Sequence, residues 1–159
     1  MRGSLNWYCV DFWSRELSLD IEQLKHDIAE KISIRPDVVE FLSWLNKNGK
    51  RVVLVTNAHP ASLNLKMDKT NLHVHFDKII NAHEIGQDKE DEGFWEKLHD
   101  YETYSKQNTM LIDDNLEVLE CAKQYGIQYF YGIHQPDSQG DAISSNRFIA
   151  LNSFKEILP

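Results

Sequence analysis

Two adjacent carboxylates, Asp113 and Asp114, end the apolar stretch "TMLIDD" just ahead of a run with helical spacing. Acids so placed either start a helix or hold a positive charge. As structure, Asp114 with Glu117 three residues later makes a helix N-cap with an acid at the third position. As chemistry, two carboxylates at a strand end can bind Mg²⁺, which prefers oxygen ligands and keeps several waters. Thr56 with Asn57 closes another apolar run, "RVVLVTN", where a hydroxyl beside backbone N–H groups can hold phosphate oxygens. Lys89, in "GQDKED" beyond "IINA", offers a compact positive charge for the same anion. Singly, Thr56 reads as a turn residue and Lys89 as a solvated side chain. Together they suit a phosphoryl group and its metal, where catalysis is largely positioning and charge stabilisation.

The elements that must position these groups are legible in the apolar spacing. From Leu5 to about Ile32 the pattern predicts one or two helices with a break near Ser18 to Asp20. "RPDVVEFLSWLNKNGK" predicts a helix with Pro36 in its first turn and Gly49 at its end. "RVVLVTN" predicts a strand covered on both faces. Then follow a helix over "HPASLNLKMDKT", a short strand over "FDKIINA" and a helix from Glu90 to Tyr104. A strand at "TMLID", a helix from Leu116 to Tyr125 and a strand at "IQYFYGI" complete the series. Strands alternating with helices predict βαβ units and a parallel sheet. In such sheets ligands bind beyond the carboxyl ends of the strands, where Thr56, Lys89, Asp113 and Asp114 all fall.

Composition narrows the function. The chain has 159 residues, enough for one domain with a sizeable core, and a formal net charge of -8. That charge argues against a nucleic-acid partner, since phosphate backbones need clustered Lys and Arg. No stretch reads as a membrane span or a signal peptide, so no membrane partner is expected. Cys9 and Cys121 are far apart and form no metal pattern; both read as reduced core thiols, which makes the cytoplasm the expected location. The histidines show no paired metal spacing on a credible helix, and His73 and His75 are two apart beside a strand. Trp7, Tyr8, Phe12 and Trp13 read as helix packing rather than a base-stacking platform.

"VVLVTNAHP", "GQDKED" and "MLIDDN", in that order, resemble motifs II, III and IV of the haloacid-dehalogenase-like (HAD) phosphohydrolases. The resemblance covers about residues 35 to 133. A receiver-like domain also uses paired acids, Thr and Lys, but there the acids come early and the Lys last. "LNWYCVDFWSRELSLD", "LVTNAHP" and "PDS" near Asp137 further resemble the purine (GMP/IMP) 5′-nucleotidase branch. The resemblance implies a three-layer Rossmannoid parallel sheet and a Mg²⁺-dependent phosphomonoester hydrolase acting on a small purine nucleotide. It implies that Asp113 and Asp114 help hold Mg²⁺ and that Thr56, with Asn57 beside it, hydrogen-bonds the phosphoryl group. It gives Lys89, with Thr56, a catalytic role, the lysine neutralising charge on the nucleophile and phosphoryl oxygens. The chemistry so implied is phosphoryl transfer through an aspartyl-phosphate.

The chain departs from that family at motif I, Asp-x-Asp, which supplies the nucleophile on the first, central strand. Residues 1 to 50 hold no such pair: Asp11, Asp20, Asp27 and Asp37 each lack a second Asp two residues on. Residues 1–33 instead resemble the remaining part of a helical cap, and residues 34–159 an α/β core without its first strand. Two function classes follow: a nucleotidase represented by a chain that is inactive alone, or a non-catalytic phosphate- or partner-binding module. A missing central strand would leave either an open slot between the "RVVLV" and "TMLID" strands or a direct pairing of the two. Either geometry predicts marginal stability and self-association of the truncated chain.

Overall fold

The computed structural model describes residues 4–136, 140 and 147–159, so Asp137 and Ser138 of the "PDS" segment lie outside the described residues. Helices alternate with strands that all pair in parallel, as the apolar pattern predicts, and the chain divides into two compact units, Met1–Asp88 and Lys89–Pro159.

The first unit opens with three short helices, α1 (Leu5–Tyr8), α2 (Val10–Leu17) and α3 (Ile21–Asp27). The predicted break falls where Ser18 takes a left-handed conformation, φ 51°, and ends α2. Asp20 then caps α3, its carboxylate accepting the N–H of Gln23. Trp13 packs edge-on against Trp7 and Phe12, with ring centroids 5.7 and 5.3 Å away, so these aromatics are helix packing. Helix α4 (Val38–Lys47) buries Phe41 and Leu42. It starts later than predicted: Pro36 lies outside it, because Asp37 turns the chain through the left-handed region at φ 67° first. Strand β1 (Val53–Thr56) leads into α5 (Pro60–Thr70), with Pro60 in the first helical turn, where no N–H partner is required. Strand β2 (Lys78–Asn81) lies parallel to β1, from Val53 opposite Lys78 to Thr56 opposite Asn81, and runs into the one-turn helix α6 (Ala82–Ile85). The residues of β1 are half-buried rather than fully covered, while Val52 before it and Ile80 opposite are buried.

The second unit contains α7 (Phe94–Tyr101), β3 (Met110–Asp113), α8 (Leu116–Tyr125), β4 (Tyr129–Ile133) and β5 (Ile149–Leu151). Its three strands are parallel in the order β3-β4-β5, with Asp113 opposite Gly132. Helix α7 is shorter than the predicted span from Glu90 to Tyr104, because the residues before Phe94 form a loop tied down by side chains. Phe94, Trp95, Leu98, Val118, Leu119 and Ala122 form the core of this unit, each no more than 4% exposed. Gly126 ends α8 at φ 107°, a conformation that suits glycine. Strand β5 was not anticipated from the apolar pattern. Among the described residues no ladder joins β1 to β3, so direct pairing of these two strands is not seen. No helix among the described residues is long and apolar enough to cross a membrane.

Leu119 is fully buried, so Leu119→Ala removes apolar contacts and leaves a cavity. A loss of about 2–5 kcal/mol is expected in urea unfolding. A loss below about 1 kcal/mol would show that α8 is not packed on its sheet as described.

Candidate functional site

Strand β3 ends on Asp113, whose side chain is 6% exposed. A carboxylate so far from water needs partners. Its Oδ1 accepts the backbone N–H of Asn115 at 3.0 Å, and its Oδ2 accepts the Lys89 ammonium at 2.5 Å. The lysine side chain is itself only 13% exposed, so each charge is the other's means of being buried. This overturns the reading of Lys89 as a solvated side chain.

The loop that delivers Lys89 is fixed at three points. The Lys89 carbonyl accepts the indole N–H of Trp95 at 3.2 Å. The Glu90 carbonyl accepts the Cys121 thiol at 2.9 Å, and the Glu90 carboxylate accepts Asn115 Nδ2 at 2.8 Å. Asn115 also caps α8, its Oδ1 accepting the N–H of Glu117 at 2.9 Å. The cap is therefore Asn115 and not Asp114, as the capping alternative had it. Asn115 starts the helix one residue later, which frees Asp114 from that duty. Glu90 and Asn115 were missed in the sequence; an Asn directly before an apolar helical run was the available signal for the second. Cys9 and Cys121 are both half-buried rather than in the core, and they are not joined in a disulfide.

Asp114 is exposed, yet its carboxyl is held above the usual carboxylate range. Partial burial of the group is the largest cause and the neighbouring Asp113 carboxylate the second, with Lys89 pulling the other way. A cation beside the pair would relieve that repulsion. The donors here are hard carboxylate oxygens at a strand end, the set that suits a cation of the Mg²⁺ type. Asp113 and Asp114 fit that group.

Thr56 and Asn57 lie in the first unit, at the carboxyl end of β1. The Thr56 hydroxyl accepts the N–H of Ala58 at 3.1 Å, and Asn57 is buried at 5% exposure. Asn81 at the end of β2 braces the same loop by donating Nδ2 to the Ala58 carbonyl at 2.8 Å. Its Oδ1 caps α6 by accepting the N–H of His83. The imidazole of His83 is held below its ordinary pKa, first by burial and then by His59, while a hydrogen bond to the Asn57 backbone pulls upward. His73 and His75 lie in a single turn of 3₁₀ helix after α5. The structure thus unites Lys89, Asp113 and Asp114, and separately places Thr56 and Asn57 at the end of their own parallel strand pair.

Comparison with known proteins bears on the family. The family described as haloacid dehalogenase-like hydrolase matches residues 12–131. The GMP/IMP nucleotidase YrfG of Escherichia coli (strain K12) is 35% identical over 159 residues, covering 100% of this chain and 72% of that protein. Among solved structures, a HAD phosphatase from Thermococcus onnurineus superposes with a TM-score of 0.75 at 21% identity, covering 98% of this chain and 72% of its own. A HAD family enzyme from Bacteroides thetaiotaomicron, in complex with magnesium and inorganic phosphate, superposes at 0.66 with 14% identity over 82% of this chain and 70% of its own.

The raised carboxyl of Asp114, set first by partial burial and then by Asp113, yields a prediction with a worked sign. A carboxyl whose folded pKa lies above its unfolded value costs stability when ionised, and that cost vanishes below the unfolded value. In a chelator at neutral pH, Asp114→Asn is therefore expected to raise the melting temperature. The gain should fade as the pH falls towards the ordinary carboxylate value of 3.8 and be absent below it. Saturating Mg²⁺ should narrow or reverse the gain. A variant less stable than the parent in chelator at neutral pH would contradict this account.

Proposed function

The chain belongs to the haloacid dehalogenase-like hydrolases, and from that premise we propose that it carries most of the site of a Mg²⁺-dependent purine nucleoside 5′-monophosphate phosphatase. The observation that carries the reading is the buried Lys89–Asp113 pair with Asp114 beside it at the carboxyl end of a parallel strand. Lys89 and Asp113 are held at fixed positions with little exposure to water, where charge acts most strongly on a phosphoryl group. The nucleotidase relative at 35% identity supports GMP and IMP as the substrates.

In this reading Asp113 and Asp114 would hold Mg²⁺, which would supply charge neutralisation for the phosphoryl oxygens. By resemblance to the family's second motif, the Thr56 hydroxyl and the backbone around Asn57 would donate hydrogen bonds to a phosphoryl group. Lys89 neutralises the developing negative charge. Residues 1–33 act as part of a helical cap and residues 34–159 as the α/β core. Two cysteines outside any disulfide support the reducing cytoplasm as the place of action.

No Asp-x-Asp pair occurs in the sequence, so the 159-residue chain lacks the family's nucleophile. Loss of the residue that forms the covalent intermediate removes the pathway and leaves positioning alone. The chain by itself is expected to show negligible Mg²⁺-dependent turnover of GMP, IMP or an aryl phosphate, and to self-associate in solution. A chimera with the Asp-x-Asp strand of the Escherichia coli relative placed ahead of Leu5 is expected to hydrolyse GMP and IMP. Lys89→Met in that chimera should abolish the gain. Turnover by the unmodified chain on the order of 1 per second or faster would refute the inactivity. A folded but inactive chimera would favour a binding module over an enzyme.

A further inference from the structure

A second set of ligand-bearing side chains lies in the first unit, away from the carboxylate pair in sequence and different from it in chemistry. Cys9 stands at the break between α1 and α2 with an extended backbone, φ -81° and ψ 117°, and its Sγ accepts the N–H of Phe12 at 3.4 Å. Asp11 follows in the first turn of α2, its side chain 79% exposed. His59 sits between the end of β1 and Pro60, its side chain 15% exposed. One donor atom from each of the three lies within 4.8 Å of the other two.

Three donors this close together can share one ion. His59 Nε2 is 3.6 Å from Asp11 Oδ2, beyond the range of a good hydrogen bond. A tetrahedral ion with bonds near 2.0–2.3 Å separates its nitrogen, oxygen and sulfur donors by roughly 3.3–3.6 Å. For Nε2 to act as the ligand beside Asp11, the ring proton sits on Nδ1, which is buried and makes no hydrogen bond among the described residues. The ring is steadied by His83, which packs edge-on at 5.5 Å between centroids.

The donor types decide which ion. A thiolate, an imidazole and a carboxylate form a borderline-soft set that suits Zn²⁺ or Co²⁺, whereas Mg²⁺ takes oxygens alone. We propose that Cys9, Asp11 and His59 form a site for a borderline-soft divalent cation of the Zn²⁺ type, distinct from the carboxylate pair Asp113–Asp114. Binding replaces the proton on Cys9 with the metal and releases that proton to solvent. Three protein ligands leave a fourth position for water, and the exposed side of Asp11 gives the ion entry. The ion links the start of α2 to the loop that follows Thr56 and Asn57, so its occupancy fixes that loop.

The test uses the full chain, stripped with chelator and titrated with Co²⁺ and then Zn²⁺. One equivalent of Co²⁺ is expected to give thiolate-to-metal charge-transfer absorption that Zn²⁺ bleaches by displacement. Cys9→Ser should abolish that band, and His59→Gln should weaken binding by at least about tenfold. Asp113→Asn should leave the band intact. Independently of any variant's folding, Zn²⁺ should protect Cys9 of the parent chain from alkylation, read by mass spectrometry, and leave Cys121 labelling unchanged. Absence of a thiolate band, its persistence in Cys9→Ser, or unprotected Cys9 at saturating Zn²⁺ would overturn the proposal.

Discussion

The pairing of Lys89 with Asp113 is the constraint around which the second unit is arranged. Moving either charge out of water costs several kcal/mol, and only a close partner with further hydrogen bonds repays it. Strand β3 must therefore end where the lysine arrives, and the loop before α7 must deliver the lysine there. The contacts that achieve this come from Trp95, Cys121 and Asn115. Asn115 does double duty, capping α8 with its oxygen and holding Glu90 with its nitrogen. The core of Phe94, Trp95 and Leu119 thus supports an electrostatic feature as well as a fold.

The two candidate metal positions differ in donor chemistry. At the end of β3 the donors are adjacent carboxylates, a set of hard oxygens. Near Cys9 the donors are mixed and spread over Asp11 in a helix and His59 in a loop. The first arises from neighbours in sequence, the second only from folding.

That difference explains what the sequence could reveal. Alternating apolar strands and helices made the α/β class legible, and the helical spacing from Leu116 to Tyr125 matches α8. Thr56, Lys89, Asp113 and Asp114 stand out in the sequence because each falls at or just past a predicted strand end. The start of α4 was misplaced because Asp37 adopts a left-handed conformation that composition does not announce. Helix α7 was drawn too long because the charged run before it suits a helix as well as a loop, and side-chain ties from Trp95, Asn115 and Cys121 decide for the loop. Cys9, Asp11 and His59 were invisible as a group, since nearly fifty residues separate the first from the last.

The central claim is that the carboxylates at the end of β3 form a magnesium site. Titrating Mg²⁺ into the isotope-labelled chain while following backbone amide resonances tests it directly. The account predicts saturable shifts centred on Asp113, Asp114, Asn115 and Glu90, absent in Asp114→Asn. No saturable shift at millimolar Mg²⁺, or shifts centred elsewhere in the chain, would contradict it.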